Sequence, residues 1–251
     1  MAYEFILYEK AEGIAWITFN RPEKMNALNP VMLNEWRDAL IDAGKDDAVG
    51  VVVVTGAGRA YCAGLDLQAV GATKLEGGAV GAIFDIPGRA VIDTIQSLPK
   101  IVIAMINGVC VTGGLETLLS FDLVVASEDA KFQDSHVRWG LRPSWGMSQR
   151  LPRTVGVMRA RELSYTAKFF SGKEAYELGL ANRAVPADKL REETIALANA
   201  ILANSREAVA AVKHLYNTGW QKTLAEGIKM EEETQFTISD TNTRLAGFLK
   251  K

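Results

Sequence analysis

The stretch IVIAMINGVCVTGGLE, residues 101–116, places an apolar strand, a glycine-rich turn and the start of a helix in immediate succession. Its first part, Ile101 to Ile106, has the composition of a strand buried on both faces, as in the parallel sheets of α/β proteins. Gly113 and Gly114 permit a tight turn and a close approach of a ligand to the backbone. Glu116 then falls in the first helical turn, where side chains lean toward the helix N-terminus. The stretch predicts an α/β fold with a carboxylate beside a strand-to-helix turn.

The same order of elements occurs earlier in the chain. A valine-rich strand, Gly50 to Thr55, precedes the loop Gly56 to Gly64 and a helix predicted from about Leu65. Loops at the carboxyl ends of parallel strands are where such folds bind ligands. If the two turns converge, the unpaired N–H groups at the two helix starts would hold one developing oxyanion. The alternative is that the glycines serve only tight turns and that Glu116 only stabilises a helix dipole.

The rest of the chain continues the alternation of strands and helices. A hairpin of two strands, Phe5 to Tyr8 and Ile14 to Phe19, opens it, and a helix capped by Asn29 follows to about Lys45. The sequence further predicts a mobile insertion at 71–85, a capping box at Ser171, and helices at 88–98, 187–203, 205–218 and 223–239. Apolar residues of the 187–203 and 205–218 helices form a stripe that we expect a neighbouring subunit to cover.

Composition excludes several classes of protein. The chain has 251 residues, 48% of them hydrophobic, and a net charge of -2, which gives no field suited to nucleic acid. Its apolar runs are shorter than the roughly 18 residues that suggest a membrane span. Cys62 and Cys110 form no C-x-x-C pair, and no secretory signal is visible at the start of the sequence, so we expect a reducing, cytoplasmic location.

Common catalytic motifs are absent from the sequence. Tyr61 stands where a dinucleotide fingerprint needs its third glycine, and there is no phosphate-loop Gly-Lys-Ser/Thr. The only histidines, His136 and His214, lack partners at zinc-binding spacing, and Ser144 lacks the preceding glycine of a nucleophile elbow. The sequence therefore predicts neither a metal site nor a separate cofactor.

Several motifs resemble the enoyl-CoA hydratase/isomerase (crotonase) family, in order and over nearly the whole chain. They are Asn20-Arg21-Pro22 with Asn26-Ala27-Leu28, Ala63-Gly64-Leu65-Asp66-Leu67, Asn107-Gly108 with Gly113-Gly114-Leu115-Glu116, Asp122, Gln149-Arg150-Leu151, and Phe248-Leu249-Lys250. The resemblance implies an α/β fold, a crotonase-like spiral of ββα units with a C-terminal helical trimerisation region. Residues 1–195 would form the core with the acyl-CoA site, and residues 196–251 the oligomerisation region of a trimer or a dimer of trimers.

The resemblance also implies an acyl-CoA thioester substrate whose carbonyl becomes an enolate held by the amides of Leu65 and Gly113. Coenzyme A would be part of the substrate. The residues implied to bind the substrate or its CoA are Lys24, Met25, Ala27, Ala63, Asp66, Leu67 and Gly114, with Phe248 and Lys250 reaching a CoA in a neighbouring subunit. Trp139 and Trp145 are expected to shape the acyl pocket, or else to be core residues.

The sequence departs from the family pattern at the second proton-transfer position. Glu116 matches the carboxylate that activates water, but His136 stands where a two-glutamate hydratase has its second glutamate. Imidazole moves protons near neutral pH as well as a tuned carboxyl does. The alternatives are a structural role for His136 and a role for Asp134 as the acid or as the group that orients the ring.

The leading hypothesis is therefore an acyl-CoA lyase, an enoyl-CoA hydratase with Glu116 and His136 as its catalytic residues. The altered pair leaves open other reactions on the same anion, namely isomerisation, carbon–carbon cleavage or thioester hydrolysis. A third hypothesis is a non-catalytic acyl-CoA-binding trimer that keeps the anion hole without working acid–base partners.

Overall fold

The computed structural model describes residues 3–71 and 75–249, and ten strands within these ranges form two sheets. The strands are β1 (Ile6–Ala11), β2 (Ile14–Phe19), β3 (Val51–Gly56), β4 (Ala60–Cys62), β5 (Ile101–Ile106), β6 (Val109–Val111), β7 (Leu123–Ser127), β8 (Lys131–Gln133), β9 (Phe170–Ser171) and β10 (Arg183–Val185). The six-stranded sheet has the order β1-β2-β3-β5-β7-β10, and the four-stranded sheet the order β4-β6-β8-β9.

From β3 to β8, strands that follow one another in sequence alternate between the two sheets. The pairs β3–β4, β5–β6 and β7–β8 each send the first strand to the large sheet and the second to the small sheet. Neighbouring strands are parallel from β2 to β10 in the large sheet and from β4 to β8 in the small sheet. The exceptions are β1, which is antiparallel to β2, and β9, which is antiparallel to β8. The chain thus winds as a spiral of strand–strand–helix units, and the predicted opening hairpin is confirmed.

Helices connect and cover the strands. They are α1 (Pro30–Lys45), α2 (Leu67–Gly71), α3 (Ala82–Ser97), α4 (Gly113–Leu118), α5 (Met147–Val155), α6 (Val157–Thr166), α7 (Gly172–Glu177), α8 (Leu190–Leu202), α9 (Arg206–Gly219), α10 (Leu224–Glu233) and α11 (Thr241–Leu249). The predicted caps are confirmed, because the Asn29 side chain accepts from the Met32 amide and Ser171 forms a capping box with Glu174.

The large sheet is buried on both faces, as the valine-rich strand predicted. Val52 and Val54 of β3 point into a core shared with Trp36 of α1, while Val51 and Val53 join a second cluster with Leu190 of α8. At about 25 cal/mol per Å² of buried apolar surface, such strands contribute the main stabilising free energy of the fold.

The expected exposed stripe is only partly present. Ile195 and Leu202 of α8 pack against the second core cluster, so the prediction that the chain leaves this helix uncovered was wrong. Helix α8 instead covers the face of the large sheet that lies opposite α1. Farther along the chain, the side chain of Tyr216 on α9 is 74% exposed and that of Trp220 is 68% exposed.

Two predicted helix boundaries were also wrong. The helix expected from Gly88 begins at Ala82 and continues through Pro87, because this start buries Phe84 completely and offsets the cost of an internal proline. The first turn of this helix covers residues 82–85, which were predicted as the end of a mobile insertion. Residues 72–74 of that predicted insertion lie outside the described residues. The helix expected to reach Ser239 ends at Glu233, and the following segment brings Phe236 against His214 with ring centroids 5.8 Å apart.

None of the helices in the described ranges is by itself long and apolar enough to cross a membrane. The segments Ala187–Leu202 and Arg206–Gly219 reach the required length only together, and they are bent by 102° at the break between them.

Candidate active site

The loops that leave the small sheet converge on one pocket with an empty volume of about 480 Å³. Segments after β4, β6 and β8 form most of its wall, and the loop before α5 closes one side. The lining residues are Ala63, Leu65, Leu67, Val80, Thr112, Gly113, Glu116, Ser135, His136, Trp139, Leu141, Arg142, Ser144 and Trp145. The expectation that these turns meet is confirmed.

Two turns of the pocket wall are in direct contact. Cys62 pairs with Cys110 across β4 and β6, and Leu65 and Gly113 each lie three residues beyond their member of that pair. A Cβ placed on Gly64 would lie 3.1 Å from the Val111 carbonyl oxygen and 3.4 Å from the Gly113 nitrogen. Because Gly64 also has a φ of +88°, only glycine fits this close approach without strain.

The Leu65 amide is oriented by a bridge rather than by a helix. The Leu28 N–H donates to the Gly64 carbonyl at 2.7 Å, and the Asp66 N–H donates to the Leu28 carbonyl at 2.9 Å. In such a parallel bridge the intervening N–H, that of Leu65, points away from Leu28. The prediction of a helix start at Leu65 was wrong, because α2 begins at Leu67 and the bridge keeps Leu65 extended.

The Gly113 amide follows a strained residue. Thr112 has a φ of 47° and a ψ of -105°, a backbone conformation that residues other than glycine rarely adopt. Its hydroxyl is bound to the Ser135 hydroxyl and accepts from the Ser135 N–H, and its own N–H donates to the Gln133 carbonyl at 2.9 Å. These bonds to β8 and the turn after it hold the first residue of α4 in place.

Glu116 lies in α4 with only 2% of its surface exposed. Its Oε1 accepts from the backbone N–H groups of Trp145, at 2.7 Å, and Met147, at 3.1 Å. Its Oε2 lies 3.5 Å from Nε2 of His136. The main chain at the start of α5 therefore fixes one carboxylate oxygen and leaves the other beside the imidazole.

His136 is buried between two carboxylates. Its Nδ1 lies 2.7 Å from Oδ1 of Asp134, while its Nε2 faces Glu116. Burial lowers the pKa of His136, but hydrogen bonds and charge from Asp134 and Glu116 outweigh this and raise it to about 9. The imidazole is thus a cation at neutral pH. Residues 3–71 and 75–249 contain no group of three or more His, Cys, Asp or Glu side chains arranged to hold a metal ion.

The predicted CoA-binding segment lies next to the pocket loops. The Ala63 N–H donates to the Met25 carbonyl at 3.0 Å. Arg21 joins Ala27 to Asp66, since it donates to the Ala27 carbonyl at 2.6 Å and to the Asp66 carboxylate at 3.0 Å. Residues 24–27 are therefore attached to the loop that contains Leu65, but they do not line the pocket.

The remaining predicted binding residues are distributed differently. Trp139 and Trp145 line the pocket, and Trp145 is at the same time a core residue with 3% exposure. Gly114 faces β4, where an added Cβ would lie 2.8 Å from that of Cys62, and Lys24 donates to Gln68 at 3.2 Å. Phe248 lies in α11, and Lys250 lies outside the described residues.

One polar group behind the pocket was not predicted. Asp85 of α3 accepts from the Ser144 hydroxyl at 2.6 Å and from the Trp145 indole N–H at 3.1 Å, with the same oxygen. Arg150 donates to the Trp145 carbonyl at 2.8 Å. No local signal in the sequence links Asp85 to a loop about sixty residues away.

Comparison with known proteins gives consistent results. Residues 9–250 match the family described as enoyl-CoA hydratase/isomerase. The chain is 35% identical to a crotonyl-CoA hydratase from Syntrophomonas wolfei, over 100% of this chain and 97% of that one. It is 33% identical to a short-chain-enoyl-CoA hydratase from Clostridium acetobutylicum, over 98% and 95%.

A solved structure extends the likeness to the fold. The crystal structure of an enoyl-CoA hydratase from Bacillus anthracis superposes with a TM-score of 0.86 at 34% identity, covering 92% of this chain and 89% of that one. This match confirms the predicted fold class, and the family match confirms the resemblance noted in the sequence. The chain belongs to the enoyl-CoA hydratase/isomerase family.

Proposed function

We propose that this protein adds water across the double bond of a 2-enoyl-CoA thioester. The observation that carries the proposal is the buried pair of Glu116 and His136, 3.5 Å apart and facing a pocket lined by Leu65 and Gly113. Hydration needs a base for water and an acid for the α-carbon, and this pair supplies both to one pocket. The hydratase names of relatives with more than 30% identity support this choice within the family.

The amides of Leu65 and Gly113 would stabilise the enolate oxygen of the thioester. Both residues line the pocket, and the hydrogen bonds around them involve neighbouring amides rather than these two. N–H groups fixed before the reaction stabilise a developing charge without reorganisation, and one such donor is typically worth about 10²–10³-fold in rate.

The two side chains would divide the proton transfers. Glu116, as a carboxylate, takes a proton from water while the water oxygen bonds to the β-carbon. His136, as an imidazolium, donates its Nε2 proton to the α-carbon as the enolate collapses to the thioester. Glu116 then returns its proton to His136 across the short gap between Oε2 and Nε2. The net reaction consumes one water and restores both groups.

The pocket loops would also bind the rest of the substrate. We assign the CoA moiety to the rim formed by Lys24, Met25, Ala27, Asp66 and Leu67, with Gly114 shaping the wall behind it. Trp139 and Trp145, together with Leu141, offer apolar surface for the acyl chain. No separate cofactor is needed, because the thioester itself supplies the electron sink.

We also propose a homotrimer or a dimer of trimers. Tyr216 on α9, Trp220 directly after it and Leu224, 82% exposed, at the start of α10 form apolar surface beyond the core. Phe248 and Lys250 would then reach a CoA bound by the neighbouring subunit. The cytoplasmic location and the division of the chain at residue 195 stay predictions.

Incubation with crotonyl-CoA in ¹⁸O-labelled water tests the assignment. We expect the label in a hydroxyl group on the β-carbon of the product, detected by mass spectrometry. Label in a released carboxylate would identify a thioester hydrolase, and migration of the double bond without label would identify an isomerase. Calorimetric binding of acyl-CoA without turnover of any acyl-CoA tested would favour the non-catalytic alternative.

A further inference from the structure

A buried carboxylate stands behind His136, on the side away from the pocket. Asp134 directly follows β8, and its Oδ1 lies 2.7 Å from Nδ1 of His136 and accepts from the His136 backbone N–H at 3.2 Å. Its side chain is 3% exposed, and it is not part of the pocket lining, whereas Ser135 and His136 are. Asp134 therefore cannot touch a substrate held in that pocket.

Ser164 of α6 also acts on the Asp134 carboxylate. Burial raises the pKa of Asp134, but its hydrogen bond with His136 and the influence of the Ser164 hydroxyl outweigh this and hold it below its ordinary value. The contacts therefore favour the ionised carboxylate, and both hydrogen bonds in which its Oδ1 takes part are made with His136.

The imidazole consequently has two different sides. The charged groups acting on it are Asp134, from its own segment, and Glu116, from α4, and Arg142 lines the same pocket. With the Nδ1 proton donated to Asp134, the Nε2 proton is the one directed at Glu116 and the pocket. A hydrogen bond to one ring nitrogen commonly decides which proton the other can transfer.

From this geometry we propose that Asp134 is a positioning residue that acts on the reaction only through His136. It keeps a proton on Nδ1, so that the proton delivered to substrate always leaves from Nε2, and it stabilises the imidazolium that re-forms after each turnover. The expected effect of Asp134 on kcat rests on the hydratase function proposed above, whereas its expected effect on the protonation of His136 does not.

The structural consequence is tested by NMR of the imidazole rings. The sequence has only two histidines, so ¹⁵N-histidine labelling gives two sets of ring signals, and His214→Gln identifies the set of His136. We expect His136 in the wild type to be doubly protonated at neutral pH and to titrate at about 9. In Asp134→Asn, which removes the charge, the midpoint should fall by about 1–2 pH units.

An exposed carboxylate of the preceding turn provides the control. Asp129→Asn should leave the titration of His136 unchanged. A wild-type His136 that is neutral at pH 7, or a folded Asp134→Asn variant with an unchanged midpoint, would overturn the proposal. If Asp134→Asn does not fold, a wild-type His136 that is neutral at pH 7 still overturns the proposal.

A double-mutant cycle tests the kinetic consequence. Asp134→Asn should lower kcat by about 10–100-fold, part of the usual contribution of a general acid, with little change in KM. In a His136→Gln background the same substitution should cause no further loss, because the residue through which it acts is gone. Additive losses would show a merely structural role.

The two experiments separate the two proposals. A protein that turns over no enoyl-CoA would refute the hydratase function, while the NMR titration still reports on Asp134. An active hydratase whose His136 does not respond to Asp134→Asn would retain its function and refute the positioning role.

Discussion

Glu116 and His136 face each other across 3.5 Å, yet the protein holds them in opposite ways. Glu116 is fixed by two backbone amides, one from the loop before α5 and one from the first residue of α5, whereas His136 is fixed by the side chain of Asp134, two residues earlier in its own segment. The support of Glu116 thus depends on the shape of a distant loop, and the support of His136 on the charge of one neighbour.

This difference has consequences for substitution. Apart from a change to proline, a substitution at Trp145 or Met147 leaves its backbone N–H in place, so Glu116 is displaced when residues 145–147 move. The bond between His136 and Asp134, by contrast, can be removed by one conservative replacement. The carboxylate is therefore sensitive to packing and the imidazole to charge, and the following predictions test that contrast from the largest expected effect to the smallest.

Glu116→Gln should have the largest effect on hydration. The amide is isosteric and still accepts from the Trp145 and Met147 amides, so the fold should persist, but it cannot take a proton from water. We expect kcat for crotonyl-CoA to fall about 10³–10⁴-fold, toward the upper end for a general base. Steady-state kinetics, with circular dichroism as the control for folding, measure this; near-wild-type turnover would remove Glu116 from the chemistry.

His136→Gln should reduce kcat about 10²–10³-fold, because the proton for the α-carbon must then come from solvent. In the wild type, kcat/KM should decline as the pH rises through about 9, where the imidazolium loses its proton. A pH–rate profile checks both statements. Persistence of the same alkaline limb in His136→Gln would assign it to another group.

The same pKa predicts a change in stability with pH. Because His136 has a higher pKa in the folded chain than the usual 6.5, folding favours its protonated form. Its contribution to the free energy of unfolding is complete below about pH 6.5 and is lost as the pH rises through about 9. Urea unfolding should show wild type losing more stability than His136→Gln over this interval, and parallel curves would contradict the charge assignment.

Gly88→Ala tests the dependence of Glu116 on packing. A Cβ at Gly88 of α3 would lie 2.3 Å from the Trp145 indole, so the ring must move and with it the loop that holds Glu116. We expect kcat to fall by about tenfold, since small misplacements of catalytic groups are costly. Gly247→Ala in α11, where an added Cβ meets nothing within 4 Å, is the matched control and should retain full activity.

Ser144→Ala should have the smallest effect. It removes one of the two hydrogen bonds to Asp85, while the Trp145 indole N–H keeps the other. We expect a loss of about 1 kcal/mol in unfolding free energy, typical for one hydrogen bond, and a change in kcat of less than about threefold. Chemical denaturation and kinetics on one preparation measure both; a tenfold loss of kcat would mean that the loop is held more through Ser144 than through Trp145.

The sequence was most informative where local signals decide the structure. The apolar run Ile101 to Ile106 and the glycines after it predicted a strand, a turn and Glu116 at the start of a helix, and all three are present. The strands β4, β6, β8 and β9 were not predicted, because runs of two or three residues show no periodicity. They become strands only through pairing with one another.

The site shows the same limit. Family-like spacing brought Leu65, Gly113, Glu116 and His136 into one prediction, and the structure places them around one pocket. The bond between Asp85 and the Trp145 indole joins segments sixty residues apart, and tertiary packing alone creates it. Likewise, Asp134 was open to two roles in the sequence, and its burial behind the ring favours the indirect one.

The pairing of Cys62 with Cys110 also bears on where the chain can accept inserted residues. Leu65 and Gly113 each lie three residues beyond this pair, so the pairing of β4 with β6 sets the distance between their amides. The length of the chain between the two strands can therefore vary. Doubling a surface loop costs only about 0.6 kcal/mol of closure entropy. Extra residues between Gly71 and Ala82 would therefore reshape the mouth of the pocket, while the spacing of the Leu65 and Gly113 nitrogens, which we propose bind the substrate oxygen, stayed constant.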